Sequence, residues 1–144
     1  MAEKRLFILD SDHLSLHQRG HEPLKTHLLQ VPSKQIAITI VSVEELIRGR
    51  LAQIRKATKP DARVKAYYWL SSTFNFLHDF NVIEYDSQAE FHFQRLISQK
   101  LRVGTQDLKI AAIALSQNAI LVTRNRQDFE RISALKIEDW SIEN

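Results

Sequence analysis

The chain has 144 residues, 44% of them hydrophobic and 26% charged, with three glycines, three prolines, no cysteine and a formal net charge of +3. That length suits one domain with a sizeable core, and the low Gly and Pro content excludes a disordered or fibrous chain. The lack of cysteine excludes a disulfide scaffold, a thiolate zinc site and a cysteine nucleophile.

The first apolar run, Leu6-Phe7-Ile8-Leu9, is too short for a signal peptide or a membrane span, so the expectation is a soluble cytoplasmic domain. It reads instead as a strand buried on both faces. Asp10-Ser11-Asp12 ends it, and a helix is predicted from Ser11 to Gln18. Gly20 suits the stop of that helix, and Pro23 suits the first turn of another reaching about Gln30. Gln35 to Ile40 is the second predicted strand. Ser42-Val43-Glu44-Glu45 has the form of a capping box and opens a long helix to about Ala57.

Thr58-Lys59-Pro60-Asp61 is a turn, with the next helix running from Asp61 to about Leu77. This helical hairpin is basic. Arg48, Arg50, Arg55, Lys56, Lys59, Arg63 and Lys65 face Asp61 alone, which leaves the rest of the chain net negative. Such a segment suits a polyanion, although a solvated hairpin has the same composition.

The third strand is predicted over Asn81–Tyr85, and Asp86 caps a helix from Ser87 to about Lys100. Gly104-Thr105 precedes a helix over Gln106–Gln117, and Asn118 suits its exit. Ile120–Thr123 is a fourth buried strand, followed by a short helix near Arg126–Ile132 and a last strand near Ile137–Trp140. Strands alternating with helices predict an α/β fold, a single domain around a mainly parallel sheet of about five strands.

In open parallel sheets, sites form beyond the carboxyl ends of the strands. Asp10 directly follows the first strand, and Glu45 is expected in the first turn of the helix after the second. Asp107 lies in the first turn of the helix that feeds the fourth strand, while Asn125 and Asp128 follow that strand through Thr123-Arg124. Four carboxylates are thus predicted to meet at one edge. Their repulsion raises their pKa values unless a cation intervenes, and hard oxygen ligands suit Mg²⁺ or Mn²⁺. Each acid also has a plainer reading. Glu45 would complete the capping box with Ser42, Asp107 would favour its helix dipole, and Asp128 would be a surface residue. Asp10 at the end of a buried strand needs a partner. Asp86 and Asp139 are left as a cap and a surface residue.

His13 and His17 share a helix face, but no third nitrogen ligand accompanies them, so they are assigned to surface or packing. Tyr67-Tyr68-Trp69 would stack on bases if aligned, but consecutive residues point around a helix, which favours core or partner contacts.

Four segments together resemble the PIN-domain ribonucleases, specifically the VapC-like toxins of bacterial toxin–antitoxin modules. Leu9-Asp10-Ser11-Asp12-His13-Leu14 resembles the opening Leu-Asp-Thr-Asn/Asp signature, and Ser42-Val43-Glu44-Glu45-Leu46 resembles Thr/Ser-x-x-Glu-Leu. Gly104-Thr105-Gln106-Asp107-Leu108-Lys109-Ile110-Ala111-Ala112 matches Gly-x-x-Asp-x-x-Ile-Ala-Ala. Leu121-Val122-Thr123-Arg124-Asn125-Arg126-Gln127-Asp128-Phe129 resembles Leu-Val-Thr-x-Asn-x-x-Asp/Glu-Phe.

The resemblance implies a PIN-like α/β/α sandwich and an endoribonuclease that hydrolyses RNA phosphodiester bonds with water activated by Mg²⁺ or Mn²⁺. It assigns Asp10, Glu45 and Asp107 to the metal, directly or through water, with Asp128 completing the catalytic set. Asp12, Thr123 and Asn125 would support it. It also implies a homodimer and a small antitoxin partner; the basic segment, with Arg48, Arg50, Arg55 and Lys56, would guide RNA or contact the antitoxin by its charge. Ser11 replaces the usual Thr and keeps a hydroxyl; Asp12 adds a negative charge where many members have Asn. Two alternatives stand beside this reading. One is a non-catalytic RNA- or protein-binding module on the same scaffold. The other is a haloacid-dehalogenase-type phosphatase, suggested by Asp10-x-Asp12 but lacking the later Lys and acidic pair.

Overall fold

A computed structural model describes residues 5–142. Five short strands form one parallel sheet: β1 (Phe7–Leu9), β2 (Ile36–Thr39), β3 (Asn81–Ile83), β4 (Ile120–Val122) and β5 (Lys136–Glu138), in the order β3-β2-β1-β4-β5. The helices are α1 (Ser11–Gln18), α2 (Glu22–Leu28), α3 (Ile40–Lys56), α4 (Pro60–His78), α5 (Ser87–Ser98), α6 (Thr105–Ser116) and α7 (Arg126–Phe129). The chain winds outward from β1 to β3, then returns to the other side of β1 with β4. The crevice at the carboxyl ends of β1 and β4 is therefore the place where the winding reverses, the usual location of a site in such sheets.

Successive strand residues feed opposite layers. Ile8, Ala37 and Leu121 pack with α5 and α6, in a core that includes Ala89, Phe93, Leu96, Leu108, Ile110 and Ile113. Leu9, Ile38 and Val122 point the other way, into a core with Leu14, Leu16, Leu24, Leu77 and Trp140. Both faces are thus covered, which is why the strands read as apolar runs without polar alternation. In α6, every residue from Ile110 to Ala114 is buried, and the alanines let α5 lie closely against it.

Several boundaries differ from the sequence expectation, each for a local reason. Gln35 ends a short 3₁₀ turn (Ser33–Gln35), so β2 begins one residue later. Ile40 belongs to α3, not to the strand, because Thr39 caps that helix: its side chain accepts from the Ser42 N–H at 3.1 Å. The expected capping box at Ser42 and Glu45 is therefore absent. Ser42 is buried inside the first turn, and Glu45 is free of any capping duty. Pro60 opens α4 one residue before the expected Asp61. The helix after β4 stops at Phe129, and β5 ends at Glu138, so Trp140 lies beyond the sheet. It is buried between Phe7, 5.0 Å away, and a stacked His27, 4.4 Å away. Asp86 caps α5 as expected, accepting from the Ala89 N–H at 2.9 Å.

Candidate active site

The site is built outward from β1. The Asp10 N–H donates to Val122 O at 3.0 Å, which ties the end of β1 to β4. The carboxylate then turns back as the cap of α1, with Oδ1 accepting from the His13 N–H at 2.8 Å. Asp10 is only 5% exposed, so this bond answers the need for a partner that a buried acid creates. Because α3 begins at Ile40, Glu45 lies in its second turn and not in its first, and it still reaches the start of α1. The Ser11 hydroxyl donates to Glu45 Oε1 at 2.6 Å and lies 2.9 Å from Ser42 Oγ. The hydroxyl that Ser11 shares with threonine thus anchors an acid from an element 34 positions away.

Asp107, in the first turn of α6, is the most perturbed acid. Its pKa is raised from 3.8 to about 6, first by burial and then by the charges of Glu45, Asp10 and Asp128. The fields of three acids from three other segments therefore meet at this carboxylate, as the sequence anticipates. Among the described residues, no group of three or more His, Asp or Glu side chains is arranged to hold a metal ion directly. Coulombic coupling reaches farther than ligation does. The set consists of hard oxygen donors, and it suits a hydrated divalent ion that takes one or two carboxylates plus water better than a dry cage.

The supporting residues act in ways that motif spacing alone does not reveal. Thr123 is buried, and its Oγ1 accepts from the Asn125 N–H at 3.0 Å, shaping the loop after β4. Asn125 Nδ2 donates to Asp128 Oδ2 at 3.1 Å, and Arg131 Nη1 reaches Asp128 Oδ1 at 3.1 Å. Both oxygens of Asp128 are thus occupied, which places it as an outer acid felt through its field. Asp12 does not add bare negative charge: Arg124 grips it with Nε–Oδ2 at 2.5 Å and Nη2–Oδ1 at 3.3 Å. Asp139 is not a surface residue. Its side chain is 12% exposed, with Oδ1 accepting from the Ser141 N–H and hydroxyl at 2.8 and 2.6 Å.

The basic residues do not share one surface. Arg50 borders a cleft with Ser11, Asp12, Glu45 and Gln53, where Nε donates to Thr73 at 2.8 Å and the guanidinium lies over Trp69. Arg48, paired with Glu44, and Arg55 instead edge an apolar groove along α3 formed by Ile40, Val43, Ile47, Leu51 and Ile54. Lys56 is exposed at the end of α3. Tyr67 and Tyr68 are exposed and form no part of the core. His13 is completely buried, and His17 packs against Phe76 and Phe80, as a packing assignment requires.

A PIN domain family model matches residues 8–135. This chain belongs to the PIN-domain family. Within it, the chain is 30% identical over 112 residues to a tRNA(fMet)-specific endonuclease VapC of Salmonella typhimurium, covering 75% of this chain and 77% of that protein. It is 36% identical over 110 residues to Ribonuclease VapC2 of Haemophilus influenzae, covering 74% and 76%. The structure is similar to that of DNA-bound VapBC from Salmonella typhimurium, with a TM-score of 0.75, 26% identity and coverage of 94% and 98%. It is also similar in fold to VapBC-1 from nontypeable Haemophilus influenzae, with a TM-score of 0.76 and 23% identity over 95% and 99% of the two chains. The PIN-domain chain is accordingly a VapC-family ribonuclease. The family match sets the phosphatase alternative aside.

Proposed function

We propose that this chain is a divalent-cation-dependent endoribonuclease and the toxin of a two-component module, working in the cytoplasm with a small antitoxin that restrains it. The observation that carries the reading is the field at Asp107, where burial and three further carboxylates lift the pKa to about 6. Uncompensated acids gathered at a strand-end crevice cost stability, and a hard cation relieves that cost. Asp10, Glu45 and Asp107 would hold Mg²⁺ or Mn²⁺, directly or through water, with Asp128 outside them. The ion would lower the pKa of a water and neutralise charge developing on a scissile phosphodiester.

The chain's own residues supply the rest. Ser11 holds the Glu45 carboxylate in place, while Asn125 and Arg131 hold Asp128. Arg124, half-exposed and already oriented by Asp12, stands at the rim beside the loop after β4, where an RNA phosphate would compete for its guanidinium. Arg50 lies in the cleft next to Glu45 and suits the RNA path. The apolar groove of α3, with Arg48 and Arg55 on its edge, suits a protein partner. A homodimer is part of the same proposal, as is the antitoxin named with the VapBC relatives.

The test is cleavage of a mixed pool of structured RNAs by the purified, antitoxin-free chain in Mg²⁺, Mn²⁺ or EDTA, beside Asp10→Asn. Cuts that need metal and vanish in the variant are expected. Cuts that persist in EDTA or in Asp10→Asn would refute the assignment, and bound metal without any cleavage would point to a non-catalytic RNA-binding role.

A further inference from the structure

His13 is the one completely buried titratable side chain among the described residues, and none of the motifs above explains it. It sits in the first turn of α1, between core leucines at positions 14 and 16, where an apolar side chain would fill the space at no polar cost. Its ring spans two parts of the molecule. Nε2 lies 3.2 Å from the backbone nitrogen of Trp140 in the segment after β5. A backbone amide only donates, so Nε2 is the acceptor and the ring proton belongs on Nδ1.

That proton has no hydrogen-bond partner of good geometry, yet Nδ1 lies 3.3 Å from Asp10 Oδ1. The same oxygen already accepts the His13 N–H at 2.8 Å. The backbone N–H of His13 thus holds Oδ1 while its ring Nδ1 stands close to the same oxygen without a completed hydrogen bond, which leaves Oδ2 as the oxygen available to another ligand. Asp139, whose Oδ1 lies 3.5 Å from Nε2, is turned toward Ser141 and does not compete for the ring.

We propose that His13 is a positioning residue for Asp10: its neutral imidazole, braced by the Trp140 backbone, fixes the carboxylate rotamer so that Oδ2 is presented to the cation. Groups that orient a ligand from behind tune metal affinity, and losing one typically costs about 10–100-fold. The inference rests on the metal-site reading of Asp10 given above. It also gives the segment after β5 a task in the site, because that segment orients the ring.

The experiment compares the full-length chain with His13→Gln and His13→Asn by calorimetric Mn²⁺ titration without RNA, together with thermal melting in EDTA. Glutamine keeps an acceptor near the Trp140 amide but removes the donor facing Asp10. Asparagine places an N–H near the former Nδ1 and abandons Trp140. Mn²⁺ Kd is expected to weaken about 10–100-fold in His13→Gln. In His13→Asn, affinity is expected to recover to near the parent value while the melting midpoint falls. A folded His13→Gln that binds Mn²⁺ like the parent chain would overturn the proposal, since a mere packing role moves only the melting midpoint. If His13→Gln does not fold, a folded His13→Asn with Kd weakened tenfold or more has the same force. No Mn²⁺ binding by the parent chain would overturn the metal-site reading itself, and this inference with it.

Discussion

Replacing Asp107 by asparagine keeps the shape of the side chain and removes one charge from the acidic edge. In the metal-free chain this change is expected to stabilise the fold. The Asp107 carboxyl titrates at about 6 in the folded chain against an ordinary 3.8, chiefly because burial and then Glu45, Asp10 and Asp128 disfavour its ionised form. Because the folded value lies above the unfolded one, the native chain holds a proton between these limits that the unfolded chain has released. Stability from this group therefore falls as pH rises through the window, and the full penalty is present above pH 6.

At full weight the displacement corresponds to about 3 kcal/mol, and screening at a partly solvated carboxylate reduces it to about 1–2 kcal/mol. For a chain of this size that is a rise in Tm of about 3–8 °C. The assay is thermal unfolding of Asp107→Asn and the parent in EDTA across pH 4–8. The gain is expected in full at pH 7.5 and to vanish toward pH 4, where the parent carboxyl is itself neutral. Millimolar Mn²⁺ is expected to close the gap from the other side, because it stabilises only the chain that binds it. A variant equal to or less stable than the parent at pH 7.5 would refute the electrostatic reasoning.

Ser11→Ala removes the hydroxyl that holds Glu45, and is expected to cost about 1 kcal/mol by thermal melting and to slow RNA cleavage about tenfold; unchanged initial rates would mean that Glu45 needs no anchor. Arg124→Ala breaks a half-exposed ion pair, so its stability is expected to stay within about 1 kcal/mol of the parent, while KM for RNA rises and kcat holds. A collapse in kcat at constant KM would contradict the rim placement. Thr39→Ala is expected to cost about 1–2 kcal/mol through loss of the α3 cap, measured by chemical denaturation, and Ser42→Ala less. Ala112→Leu overfills the buried α6 face, and a loss of about 1–3 kcal/mol is expected in the same assay.

The alternation of short apolar runs with helical stretches was enough to specify a parallel α/β sheet, because strands covered on both faces carry no polar register to obscure them. The position of each acid just beyond a strand or at a helix start also directs Asp10, Glu45, Asp107 and Asp128 to one edge of the sheet. Geometry of that kind follows from local rules, since a residue after a parallel strand has few places to go. Boundaries were less legible. The sequence points to Ser42 as the cap of α3, whereas the Thr39 side chain takes the Ser42 N–H and starts the helix at Ile40.

The partners of the acids depended on tertiary structure altogether. Ser11 meets Glu45, Arg124 meets Asp12, and His13 meets the Trp140 backbone across 127 positions of sequence. No periodicity or spacing encodes such pairs. They arise where separate elements converge at the sheet edge, and there each charge is either neutralised, as at Asp12, or left to raise its neighbour's pKa, as at Asp107. The kinds of chemistry available were written in the residue types; which oxygens are occupied and which are left for a ligand was decided only by folding, because hydrogen-bond geometry is a property of atoms brought together in space.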